Sequence, residues 1–147
     1  MSSDIDTEKF ATVPLFLGLS QPEIVKLIKI SENLTANSGD VIVREGDVGD
    51  GVYVIAAGAF EVKKSGAESK SLARLEAMSF FCEMALVSDE PRSASVVCVE
   101  PGRLKKFDVT KFHELLDADD LTAYKVIRNM SRILAQRLAR LGERVVS

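Results

Sequence analysis

From Thr35 to Phe107 the chain is made of short apolar runs, each stopped by glycine, proline or an aspartate-containing turn. Ser38-Gly39-Asp40 leads into Val41-Ile42-Val43. Glu45-Gly46-Asp47-Val48-Gly49-Asp50 is a glycine-rich turn region, Val52 to Ala56 reads as a strand, and Gly58 precedes Phe60-Glu61-Val62. Lys63 to Ser71 is a polar loop, Leu72 to Leu75 a further strand, and Leu104 to Phe107 a closing strand after a turn at Pro101-Gly102. Strands at this pitch argue a β-sandwich or barrel. The glycines read as corner residues that let the chain take positive φ.

The two ends have a different texture. Residues 1–9 are expected to be frayed, and residues 10–36 read as helical. Ser20 is a candidate N-cap, with Pro22 in the first turn and Glu23 at the capping-box position. Ile24, Leu27 and Ile28 then fall on one helical face. After the strands, Asp108 or Thr110 is placed to cap a short helix through Leu116. The acidic break Asp117 to Asp120 is placed to cap a long one from about Leu121 to Val145. In that helix Ile127, Met130, Leu134, Leu138, Leu141 and Val145 recur at spacings of three and four, and Arg128, Arg132, Arg137, Arg140 and Arg144 occupy other faces. A small domain does not bury a stripe of that length, so part of it is expected to meet something else.

Composition removes several classes of function. The 147 residues predict a single domain, 1–147, with a proper core. A net charge of −3 argues against general nucleic-acid affinity. One histidine, His113, and two cysteines, Cys82 and Cys98, leave no ligand set for zinc or for a metal-dependent cupin. No apolar run reaches a membrane span, and the acidic, polar start is unlike a signal peptide. A reduced, cytoplasmic setting is expected.

Chemistry concentrates in Phe80 to Ser95, FFCEMALVSDEPRSAS. Glu83-Met84-Ala85-Leu86 are good helix formers. The N-terminal end of a short helix has unpaired amides and a partial positive charge, so an anion can sit there. Arg92 follows a polar turn and can fold back over the same point, with the Ser93 hydroxyl beside it. Guanidinium grips phosphate through two parallel hydrogen bonds. Glu83 only accepts, which suits sugar hydroxyls. On spacing alone, a surface ion pair between Glu83 and Arg92 reads equally well.

Phe81, Glu83, Met84, Ala85, Leu86, Pro91, Arg92, Ser93 and Ala94 together resemble the phosphate-binding cassette of the cyclic nucleotide-binding domain family. REGDVGDGVYVIAAGAFEV resembles that family's second signature, and VPLFLGLSQPEIVKL its opening helices. The resemblance implies an α+β protein: an antiparallel β jelly-roll at 37–108 carrying the cassette at 80–95. N-terminal helices and a long C-terminal lid helix within 109–147 flank it.

It implies that Glu83 binds the ribose 2′-hydroxyl with Cys82 beside the sugar. Arg92, the Ala85 amide and Ser93 serve the cyclic phosphate, and Met84, Val62 and Arg140 line or stack on the base side. The ligand is cAMP or cGMP, adenine being favoured, with no cofactor and no catalysis. Partners are a second copy through Ile127–Leu141 and a protein effector in trans. Because the sequence stops at Ser147, direct DNA binding is not expected. A fold that kept its shape, lost its ligand and serves as an interaction module is the alternative. Two family glycines are replaced, by Cys82 before Glu83 and within Ala77-Met78-Ser79 before the paired aromatics.

Overall fold

The computed structural model describes residues 7–65 and 71–146. Helix α1, described over 7–10, is followed by a 3-10 turn, Pro14–Phe16, and by α2, Gln21–Lys29. Six strands follow: β1 Ser31–Ala36, β2 Val41–Val43, β3 Gly51–Lys63, β4 Ser71–Leu75, β5 Phe80–Phe81 and β6 Ser95–Asp108. A 3-10 helix, Glu83–Leu86, sits between β5 and β6, and α3, Val109–Asp117, and α4, Leu121–Val146, complete the chain. Every pairing is antiparallel, in the order β1-β6-β3-β4, with β2 on β6 and β5 on β3. The result is a jelly-roll with helices packed at one end.

Strand alternation splits the core in two. From Val52 to Ile55, Val52 and Val54 face the helices, where they meet Phe10, Phe16, Leu27, Phe107 and Met130. Tyr53 and Ile55 face the roll interior with Phe60, Phe81, Val96 and Leu104.

Three sequence expectations need correction. Residues 7–9 are not frayed: they are helical, and Thr7 and Phe10 are buried at 3% and 1% exposure; the remainder of that expectation, and part of the predicted loop after Lys63, fall outside the described residues. The predicted helical run to Ala36 ends at Lys29, and Ser31–Ala36 pair instead with Phe107 back to Gly102 of β6. Asn33 and Thr35 are poor helix formers, and the last residues of the strand have a long open neighbour to pair with.

The strands predicted to break near Gly58 and Pro101-Gly102 run through as β3 and β6. The register shifts between Ile55, Ala57 and Ala59 take up the bend. Gly58 adopts φ +91°, and a Cβ on it would lie 2.6 Å from the Cα of Gly102. The two strands bend together where two glycines touch.

The helices are capped where the sequence placed them. Ser20 and Glu23 form a reciprocal capping box, Asp108 Oδ2 accepts the Lys111 amide, and Asp120 Oδ1 accepts the Thr122 amide. Two ion pairs fasten α2 to the start of α4: Lys125 to Glu23 at 2.8 Å and Lys26 to Asp120 at 2.7 Å. The Lys125 hydrogen bond, chiefly, holds the Glu23 carboxyl below its ordinary value, and the Lys26 hydrogen bond does the same for Asp120.

Acids depressed in the folded state stabilise it fully above their ordinary values and lose that contribution as pH falls through the depressed ones. The melting temperature is therefore expected to drop below about pH 4.5. Glu23→Gln/Asp120→Asn, which keeps both caps, should flatten that drop, as a pH series of thermal melts would record.

Candidate cyclic nucleotide site

The cassette is pinned on three sides. β5 lays Phe81 flat on Tyr53 across the strand pair, ring centroids 5.0 Å apart and nearly parallel. At the far end the Gly46 amide donates to the Arg92 carbonyl and the Arg92 amide to the Asp47 carbonyl, both at 2.8 Å. His113 Nε2 lies 2.8 Å from the Leu86 carbonyl, joining α3 to the end of the 3-10 helix.

These anchors surround a cavity of about 430 Å³. It is lined by Cys82, Glu83, Met84 and Ala85, by Arg92 and Ser93 opposite, and by Val62, Gly49 and Arg137. Seven of the eight predicted binding residues thus share one cavity. Met84 is 46% exposed, and Val62 also packs on the roll core. The eighth, Arg140, is exposed and does not line the cavity; Arg137, one helical turn earlier, does.

Arg92 is held by a charged pair at the cavity wall. Its Nη2 donates to Asp50 Oδ1 at 2.9 Å, while Lys106 Nζ holds Asp50 Oδ2 at 2.8 Å. Burial pushes the Asp50 carboxyl up, but the Lys106 hydrogen bond and the charges of Lys106 and Arg92 outweigh it and hold it below its ordinary value. One carboxylate thus faces two cations. Arg92 Nε is buried and has no hydrogen-bond partner. An orphaned buried donor costs about 1–3 kcal/mol, and a native structure keeps one for a reason.

Gly49 is what lets the cassette come this close. A Cβ on it would lie 2.8 Å from Ala85 Cβ and 4.0 Å from Arg92 Nε. The corner reading of that glycine is thus incomplete, since it also walls the seat. Asp50 and Lys106 were not singled out from the sequence. Asp50's place between two glycines was the available signal.

The predicted donor and acceptor partners are partly occupied. The Ala85 amide donates at 3.1 Å to the Cys82 carbonyl within the 3-10 turn, so it reaches an anion only as a shared donor. Glu83, 8% exposed, is held by Arg137.

Both positions where family glycines are replaced keep a glycine-like backbone: Met78 has φ 70° and Cys82 has φ 66°. A non-glycine residue there costs about 1–2 kcal/mol. Burial pushes the Cys82 thiol up to about 11, outweighing the lowering by Arg92, so it lines the cavity as a neutral thiol. Cys82→Gly is expected to raise stability by about 1 kcal/mol in urea unfolding.

Among the described residues no cluster of three or more His, Cys, Asp or Glu is placed to hold a metal ion, and no helix is long and apolar enough to cross a membrane.

A sequence model of the cyclic nucleotide-binding domain matches residues 34–119, and the chain belongs to that family. It is 38% identical over 95 residues to a cAMP-dependent protein kinase regulatory subunit of Blastocladiella emersonii, covering 63% of this chain and 23% of that one. It is 30% identical over 127 residues to the cyclic AMP receptor protein of Thermus thermophilus, covering 85% and 57%. The chain therefore spans less than two thirds of either relative. A cyclic nucleotide-binding domain from Methylobacillus flagellatus superposes with a TM-score of 0.81 at 23% identity, over 98% of this chain and 84% of that one, a likeness of fold.

Proposed function

We propose that the protein is a non-catalytic sensor that binds cAMP, or cGMP less well, and signals through the position of α4. The observation that carries this is the buried, unpartnered Arg92 Nε in the cavity wall. A cyclic phosphate on Arg92 satisfies that donor, with Ser93 and the shared Ala85 amide beside it. The 2′-hydroxyl goes to Glu83, and Met84 and Val62 wall the base. The names of two relatives, one a cAMP-dependent kinase subunit and one a cyclic AMP receptor, favour adenine.

A ligand moves a conformational equilibrium only by its differential affinity for the two states. Here that difference comes from the contact between α4 and the cavity. The output goes to a protein partner in trans or to a second copy. In α4 the first half packs on the domain through Ala123, Val126 and Met130, while Leu138 and Leu141 remain 68% and 55% exposed; Val145 is outside the residues whose side chains are described. A homodimer through Ile127–Leu141 covers both leucines. Sedimentation showing dimer, lost in Leu138→Glu, supports that pairing, and monomer at every concentration contradicts it. A cytoplasmic location fits this role.

The pairing of Glu83 with Arg137 favours one other reading, a nucleotide-free interaction module whose sugar-binding acid is permanently occupied. Thermal shift separates the two. A ligand at 100 times its Kd adds about 2.7 kcal/mol, roughly 5–10 °C for a chain of this size. A rise with millimolar cyclic nucleotide supports the sensor, and none supports the module.

A further inference from the structure

Among the described residues, four charged side chains line the cavity: Glu83, Glu90, Arg92 and Arg137. Arg137 pairs with Glu83, Arg92 with Asp50, and Asp50 in turn with Lys106. That leaves Glu90, an exposed acid that none of these cations holds. Its place at the rim is set by the backbone. The Glu90 amide donates to Ser88 Oγ at 3.1 Å, Pro91 bridges to Val48, and the Arg92 amide donates to the Asp47 carbonyl at 2.8 Å. Taken together, these groups are three acids and three cations, so the site as a whole has no surplus of positive charge.

We infer that Glu90 is a specificity-determining residue that selects the ligand by charge, admitting a phosphodiester monoanion and disfavouring a phosphomonoester dianion. This rests on the cyclic nucleotide reading above. A phosphomonoester carries about −1.5 to −2 charges at neutral pH, because its second ionisation lies at about 6. A diester has no second proton to lose and carries one charge. Repulsion from Glu90 acts on each charge of the ligand, so its effect multiplies. Through water at short range it is about threefold per unit charge, hence about threefold against a diester and roughly tenfold against a monoester. With acids and cations balanced around the cavity, the second charge goes uncompensated. Glu90 in this way separates a cyclic nucleotide from its open-chain hydrolysis product, which carries the same base and sugar.

The test is titration calorimetry of wild type and Glu90→Gln with cAMP, AMP and AMP methyl ester, an open-chain monoanion that separates charge from ring closure. AMP too weak for direct titration is measured by displacement of cAMP. Glu90→Gln is expected to gain about threefold for cAMP and for the methyl ester, and about tenfold for AMP. At about 1 M salt, where the screening length falls to about 3 Å, the difference between the two proteins should largely vanish. Glu90→Asp, which keeps the charge, should keep the wild-type ranking of the three ligands. Glu90→Ala should repeat the gains, and serves as the working variant should the Gln protein not fold. Equal gains for all three ligands overturn the inference, and so do gains that survive high salt or AMP that displaces cAMP from neither protein. If wild type binds no cAMP, the sensor reading falls and this inference with it. Binding of cAMP with equal gains overturns this inference alone.

Discussion

Arg92→Ala is expected to weaken cyclic nucleotide binding by about 100-fold or more while changing folding stability little. Hydrogen bonds to charged groups contribute about 1.5–3 kcal/mol each, and tenfold in affinity is about 1.4 kcal/mol. Losing two such bonds to a phosphate accounts for the factor. Stability behaves differently because of Lys106. Removing one partner of a buried ion pair is costly when it strands the other, but Asp50 keeps its 2.8 Å bond to Lys106. The substitution also removes the orphaned Nε. Calorimetry and urea unfolding on the same preparation should show binding lost and the unfolding midpoint nearly kept. Arg92→Lys should recover only part of the affinity, since a point charge does not reproduce the planar fork.

Gly102→Ala is expected to have the largest effect on stability. A Cβ at Gly102 would lie 2.1 Å from the Ala57 carbonyl oxygen and 2.9 Å from the Gly58 Cα. These are backbone atoms in paired strands and cannot rotate aside, so β3 and β6 must separate where they bend together. A cost of about 3–5 kcal/mol is expected, a large part of the 5–15 kcal/mol typical of a whole domain. Gly142→Ala is the control. It lies in α4 with nothing within 4 Å of an added Cβ, and should stabilise by up to about 1 kcal/mol. Equilibrium unfolding in urea measures both, and a mild effect at Gly102 would mean the bend is not so tightly packed.

These two positions also mark what was legible in the sequence. Local chemistry was: Ser20, Asp108 and the 117–120 break cap helices because short-range hydrogen bonding fixes them. Glu83 to Ser93 drew together as one cavity wall because these residues lie within one segment, whose spacing alone read equally well as a surface ion pair. Long-range pairing was not. The strand at Ser31–Ala36 depends on β6, some seventy residues away, and the weak helix formers Asn33 and Thr35 do not by themselves specify a strand. The bend at Gly58 and Gly102 read as turns, since each glycine alone looks like a corner and only their contact makes a continuous strand.

The electrostatic shell was hidden for the same reason. Asp50 looked like one more turn residue and Lys106 like one more strand lysine, until folding set them 2.8 Å apart under Arg92. Arg137 lines the cavity and Arg140 does not: periodicity gives the faces of α4 but not which of them meets the cavity.

The central claim is that an anion accepts a hydrogen bond from Arg92 Nε–H. The most direct measurement is the arginine side-chain ¹H–¹⁵N resonance of Arg92, followed during titration with cAMP and with non-cyclic AMP as comparison. The account predicts that cAMP moves this resonance more than any other arginine Nε, with saturation, and that Arg92→Lys removes the signal and weakens the binding. An Arg92 Nε resonance that stays still while cAMP binds would contradict it.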